Sequence, residues 1–273
     1  MKFLAKVLAL VWVGAMVCAC SGDAAKPPVG AAPQPAEPAN QTIAVEPLEL
    51  LKDFDTWYKY TYYNIQLARD FIGLDVNTAI LAKPEFLRRL ATGNFAALKV
   101  GIRNGEPVYK LFQLTNAVTG IHATAQQMAT TEQSFLQMAG RPLPAFNFTD
   151  VNGTTYSRAN STNKVTVIKC WFIGCVACVT EFPELNELVD AYQGRTDIQF
   201  VSLAIDPKEK LVGFLKKKEF KYAVVPGMNQ YMTKQLGITQ YPTHLLIDRA
   251  GTIVKVTGNM RDMRSSIAKL TAR

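Results

Sequence analysis

The sequence predicts an α/β fold: a central mixed β-sheet flanked by helices, preceded by a smaller α+β N-terminal domain. Three observations carry this. Two near-continuous apolar runs, 165–172 and 198–205, read as strands buried on both faces, with a helix-like stretch between them. Two further runs, 244–248 and 252–256, flank Arg249-Ala250-Gly251, a hairpin signal. Between the first run and its helix stands Cys175-Val176-Ala177-Cys178, a spacing at which two thiols can close a small disulfide ring and reopen it.

The 273 residues are 48% hydrophobic and 19% charged, which excludes wholesale disorder and leaves room for two domains. Lys2 and Lys6 make a short basic start, and 7–17 is an apolar stretch too short for a comfortable membrane span. It runs into Val17-Cys18-Ala19-Cys20-Ser21, which resembles a bacterial lipobox. That resemblance implies a lipoprotein signal peptide over 1–19, loss of Cys18 and a lipid anchor on Cys20. The alternative is an ordinary secretory signal with a stray cysteine. Either way, export places the 175/178 pair where disulfides persist. Residues 20–47 read as a Pro/Ala-rich tether, with Pro27, Pro28, Pro33, Pro35, Pro38 and Pro47 spread along it.

Residues 48–139 read as the N-terminal α+β domain. Its aromatic stretch 57–65 looks strand-like, 84–92 a helix, 109–114 a half-buried strand, and 122–138 a second helix stopped by Gly140 and Pro142. No chemistry is legible there, and its tyrosines and lone His122 read as structural. From 140 onward come a strand and turn (143–154), the strand 165–172, a helix from Cys175 to about Tyr192, and the strand 198–205. Asp206-Pro207 then opens a helix, with Asp206 as its cap. A short strand (220–225), a short helix (230–236), the hairpin and a last helix (260–270) complete the chain.

The net charge is +8, part of it in Lys208, Lys210, Lys216, Lys217, Lys218 and Lys221. With no nucleic-acid motif, this cluster reads as a solvated helix face that tolerates an anionic membrane nearby, and no nucleic acid is expected as partner. A helix N-terminus behind Cys175 would favour its thiolate. Zinc would need a second pair of ligands, and the domain offers only His122, His244 and Cys170; no metal and no cofactor beyond the redox-active disulfide is expected.

Residues 140–273, about half of the chain, resemble the TlpA/ResA-like extracytoplasmic thiol–disulfide oxidoreductases of the thioredoxin superfamily, relatives of the redoxin and AhpC/TSA proteins. Four features carry the resemblance. They are the opening Pro144-Ala145-Phe146-x-Phe148-x-Asp150-x-x-Gly153, then Trp171-Phe172-x-x-Cys175-x-x-Cys178 with Glu181-Phe182-Pro183, then Tyr241-Pro242-Thr243, and the hairpin Ile247-Asp248-Arg249-x-Gly251-x-Ile253. The resemblance implies a thioredoxin fold, with Cys175 as attacking thiolate and Cys178 as buried resolving thiol. It implies that Glu181 is a functional acid that exchanges a proton with Cys178 or tunes the pair, against the plainer reading of a solvent-exposed helix carboxylate. Tyr241 and a cis Pro242 would present backbone to an extended client. Trp171 and Pro183 are structural at the site, Pro183 kinking its helix. The chain departs from thioredoxin in having Lys169 where that protein has a buried acid, and Val176-Ala177 between the cysteines. Cys170 reads as a buried small hydrophobe.

The function expected is that of an envelope-anchored thiol–disulfide oxidoreductase reducing protein disulfides, as a lipoprotein facing the periplasm or exterior. Its partners would be disulfide-containing envelope proteins, an integral-membrane thiol electron donor, and the membrane through the lipid anchor. A thiol peroxidase of the AhpC/TSA type and a noncatalytic client-binding lipoprotein are the alternatives. Against the peroxidase, Ile168 and Phe172 stand where its Pro and Thr/Ser would precede the reactive cysteine.

Overall fold

A computed structural model describes residues 40–115, 118 and 120–272. The signal peptide, Cys20 and most of the expected tether lie outside the described residues.

The first region contains β1 (Gln41–Thr42), α1 (Pro47–Leu50), α2 (Phe54–Asn64), β2 (Ile72–Leu74), β3 (Ile80–Leu81), α3 (Lys83–Leu90), β4 (Phe95–Arg103), β5 (Glu106–Gln113) and α4 (Ile121–Met138). Its sheet has the order β1-β4-β5-β2-β3. Strand β1 pairs with β4 inside the stretch expected as tether, so ordered structure starts before residue 48. The long β4–β5 hairpin turns on Asn104 and Gly105, both at positive φ, the combination a two-residue turn needs to match strand twist.

Segment 57–65, expected as a strand, is mostly helix α2. Asp53 caps it by accepting the Thr56 N–H at 2.7 Å. Trp57 and Thr61, four residues apart, are buried, whereas Tyr58, Tyr62 and Tyr63 stand exposed. A helical burial period therefore overrides the β-propensity of the aromatics.

The second region contains β6 (Asn147–Thr149), β7 (Thr155–Ser157), α5 (Arg158–Ser161), β8 (Val165–Trp171), α6 (Val176–Thr180), α7 (Phe182–Ala191), β9 (Ile198–Ala204), α8 (Lys208–Leu215), β10 (Ala223–Val225), a π-helical turn (Tyr231–Gln235), β11 (Thr243–Ile247), β12 (Ile253–Thr257) and α9 (Met260–Thr271). Its sheet has the order β10-β9-β8-β11-β12. The first three strands are parallel, and β11 is antiparallel to both of its neighbours, β8 and β12. Every residue of β8 is buried, as a central strand covered on both faces requires.

Alternation along β8 divides its side chains between two cores. Val165, Val167 and Trp171 join Cys175, Cys178, Phe182 and Leu185 on one face. Ile168 and Cys170 join Phe148, Leu245 and Ile253 on the other. The first region has its own core around Trp57, Phe86 and Tyr109. Helix α4 serves two cores: Ile121, Ala125 and Ala129 lie in that of the first region, Phe135 in that of the second.

Two expectations about the redox helix and its neighbour change. The stretch expected as one helix from Cys175 is divided at Glu181 into α6 and α7, with Pro183 in the first turn of α7, where a missing N–H costs least. Asp206 does not cap α8, whose N-cap is Pro207. Its carboxylate is used elsewhere.

Candidate active site

Strand β8 ends at Trp171, and after the loop 172–174 Cys175 occupies the N-cap of α6. The Cys175 sulfur accepts the Cys178 N–H at 3.2 Å, a contact that favours negative charge on that sulfur once the ring opens. The two cysteines form a disulfide, with Cα atoms 5.2 Å apart. Their exposure differs: Cys175 is 8% exposed and Cys178 fully buried. An external thiol or disulfide therefore meets Cys175 first, beside Val176, which is 79% exposed.

The loop 172–174 is held from two sides. Asp206 accepts the Ile173 N–H at 2.7 Å, and the Phe172 ring meets Tyr241 edge to face at 5.5 Å. Trp171 is fully buried against Phe182 (5.0 Å), Phe220 (5.7 Å) and Phe214 (6.0 Å), which together form an aromatic wall. The Tyr241–Pro242 bond is cis, as expected. The next residue, Thr243, pairs with Cys170 near the end of β8, so this loop leaves the sheet at the same end as the loop carrying Cys175.

Beneath the redox helix lies a group that the sequence reading did not assemble. Lys169 on β8 and His244 on β11 are register partners on one face of the sheet, and both are fully buried. Both reach Glu181. The Lys169 ammonium and Glu181 Oε2 form an ion pair, and His244 Nε2 lies 3.1 Å from the same oxygen. Among the described residues His244 Nδ1 is buried and has no partner. A bare lone pair there costs less than a stranded N–H, so the imidazole is neutral and donates through Nε2.

The charges follow from burial and pairing. Burial lowers the Lys169 pKa, with Glu181 opposing the fall. Burial also lowers that of His244, against its hydrogen bond to Glu181. For Glu181, burial acts to raise the pKa, but the hydrogen bonds and charges of His244 and Lys169 together outweigh it and the net direction is down. Glu181 is thus a carboxylate gripped from below, with its side chain 19% exposed. The reading of a plain surface carboxylate does not hold. Cys170 points to the opposite face, and burial raises its pKa, as suits an inert core thiol.

Among the described residues no group of three or more His, Cys, Asp or Glu could hold a metal ion. A cavity of about 310 Å³ lies at the other end of the sheet, bounded by Leu143, Phe146, Arg158 and Ile247; none of the expected site residues lines it.

The Redoxin family model matches residues 138–269. Thiol-disulfide oxidoreductase ResA of Bacillus thuringiensis subsp. konkukian is 26% identical over 117 residues, covering 42% of this chain and 67% of ResA. Thiol:disulfide interchange protein DsbE of Pseudomonas fluorescens biotype C is 36% identical over 55 residues, 20% of this chain and 31% of DsbE. The C-terminal region is a TlpA/ResA-like redoxin domain. Among solved structures, a thiol-disulfide oxidoreductase from Bacteroides fragilis is similar at 20% identity and a TM-score of 0.44, covering 48% of this chain and 99% of that one.

The protein is a thioredoxin-like thiol–disulfide oxidoreductase. The first sheet lies outside the family match. Within the redoxin domain, sequence reasoning missed His244 and Asp206. A signal for His244 existed: a lysine inside an otherwise apolar strand needs a carboxylate, and a buried carboxylate needs further donors.

Proposed function

We propose that this protein is an envelope-anchored oxidoreductase that reduces disulfides in client proteins through a Cys175–Cys178 cycle. The observation that carries the reading is the disulfide itself, with one sulfur at a helix N-cap and reachable and the other buried. Cys175 as thiolate attacks the client disulfide and forms a mixed disulfide, releasing one client thiolate. Cys178 then attacks the Cys175 sulfur, the ring closes, and the second client thiolate leaves. Two electrons pass to the client. An integral-membrane dithiol returns them.

Glu181 serves as acceptor and carrier for the proton that Cys178 loses and regains; its place one helical turn from Cys178 and its buried partners support this role. Tyr241 and Pro242 flank the client groove, supported by their place at the Cys175 end of the sheet. The anchor is a lipid on Cys20. Among the described residues no helix is long and apolar enough to cross a membrane.

The test is a trap. Cys178→Ser expressed in cells retains the attack and loses the release, so it accumulates mixed disulfides with client proteins that dissolve under thiol reductant. Cys175→Ser accumulates none. Rapid consumption of peroxide by the wild type, with no client trapped by Cys178→Ser, would replace the reductase reading with the peroxidase one. Neither behaviour would leave a binding protein.

A further inference from the structure

The geometry points to Lys169 as the proton store of the redox centre, a positioning and proton-holding residue that acts on Cys178 through Glu181. The inference rests on the thiol-exchange reading above and goes beyond it.

The first ground is hydrogen bonding. An ammonium has three N–H donors. Among the described residues Lys169 Nζ has one hydrogen-bond acceptor, Glu181 Oε2, in a fully buried position. That acceptor is shared with His244. The protonated form is therefore under-satisfied, whereas a neutral amine needs fewer acceptors. Burial and the shortage of acceptors thus bring the neutral amine nearer in free energy to the ammonium than it is in water, the direction a proton store requires.

The second ground is the carboxylate. Lys169 and His244 both take Oε2, and Oε1 accepts from no described residue. Oε2 faces the store, Oε1 carries no described hydrogen bond, and Glu181 at the C-cap of α6 follows Cys178 by one helical turn, the route the exchange would use. Glu181 alone would be a poor final acceptor, because a carboxylate held below its ordinary pKa is badly matched to a buried thiol. A buried lysine, its pKa brought down from about 10.4, is better matched.

The third ground is that, among the described residues, the neighbours of the group do not compete for the proton. His244 is kept neutral. The Tyr222 hydroxyl, influenced by Glu181 from the β10 side, is pushed up by burial. Arg264 on α9 is tied to Glu184 on α7 by a 3.1 Å ion pair. Cys170 faces the other core.

In the step inferred, the Cys178 thiol loses its proton to Glu181 and on to the neutral Lys169 amine, which becomes ammonium. The Cys178 sulfur bonds to Cys175, and the client thiolate leaves. When the external dithiol re-reduces the pair, Cys178 leaves as thiolate and takes the proton back by the same route. Electrons and protons balance over the two half-cycles.

The test follows the reduced protein, in a Cys18→Ser/Cys20→Ser background, reacting with 5,5′-dithiobis(2-nitrobenzoate) in stopped flow from pH 5 to 10. The first thionitrobenzoate released reports attack by Cys175, the second attack by Cys178. Wild type should show a second release that rises with pH to a plateau, with its midpoint below the ordinary lysine value. Lys169→Met should slow the second release at pH 7 at least ten-fold. Lys169→Arg keeps the charge but cannot give up a proton under these conditions, and should be slowed equally. A Lys169→Arg protein with wild-type rate and profile would overturn the proposal, leaving Lys169 as a fixed charge. A wild type with no second release would overturn the thiol-exchange reading itself. Should neither variant give a native near-ultraviolet circular dichroism spectrum, ¹⁵N titration of Lys169 Nζ in the wild type decides. Its midpoint should differ between oxidised and reduced protein; equal midpoints overturn the proposal.

Discussion

Removing Glu181 while keeping Lys169 tests the buried ion pair most severely. In Glu181→Leu the Lys169 ammonium, fully buried, loses its one described acceptor. Breaking a buried pair from one side costs about 3–5 kcal/mol. The opposite deletion is milder, because Glu181 keeps His244 and its side chain is 19% exposed to water; Lys169→Met should cost about 1.5–3 kcal/mol, the scale of one lost hydrogen bond to a charged group. The double variant Lys169→Met/Glu181→Leu removes both charges and should recover most of the loss, since apolar replacement of a buried pair is often neutral or better. Thermal unfolding of the oxidised proteins at pH 7 measures all three. Glu181→Leu should melt about 6–20 °C below wild type, at about 2–4 °C per kcal/mol for a region of this size. Loss in the double variant equal to the sum of the single losses would refute the reasoning, because the two side chains would then not be coupled.

Acid should destabilise the fold in two stages. His244 and Glu181 both have folded pKa values below their ordinary ones, so each contributes stability that is present above its unfolded pKa and lost as pH falls. The first loss should begin below about pH 6.5 and the second below about 4.3, and His244→Asn should flatten the first in denaturant titrations across pH. Asp206→Ala frees the Ile173 N–H and should cost about 1–2 kcal/mol, with slower attack by Cys175 in insulin reduction assays. Iodoacetamide should label Cys175 in the reduced native protein and Cys170 only after unfolding, as peptide mass spectrometry would show. A labelled fatty acid should enter the wild type and not Cys20→Ala; equal label in both would remove the proposed anchor.

The second sheet was legible because its strands advertise themselves. Residues 165–171 are buried throughout, so they read as an apolar run, and Arg249-Ala250-Gly251 marks the hairpin. The cysteine pair was legible for the same local reason. The α2 segment was not: its aromatics favour strands residue by residue, and the Asp53 cap that decides for helix is a single polar side chain. Asn104-Gly105 was a usable turn signal that the reading passed over. His244 was hidden because it sits in an apolar strand, 75 residues from Lys169, and only the β8–β11 register brings them together. Asp206 looked like a helix cap because it stands where caps stand; its partner, Ile173, is remote in sequence.

Helix α4 passes the chain from one sheet to the other, and the join is made by three backbone hydrogen bonds to the β12 hairpin: Gly140 N–H to Ile253, Ile253 N–H to Arg141, and Leu143 N–H to Gly251. Ile253 pairs with Ile247, which pairs with Thr166 at the start of β8, so the join sits about 17 Å, five strand residues, from the end of β8 that leads to Cys175. Tension applied through residue 40 thus enters the redoxin sheet at an edge strand and at its far end. The redox loop lies at the opposite end of the sheet from this point of entry, so the N-terminal region is fastened to the redoxin domain away from the sulfur chemistry.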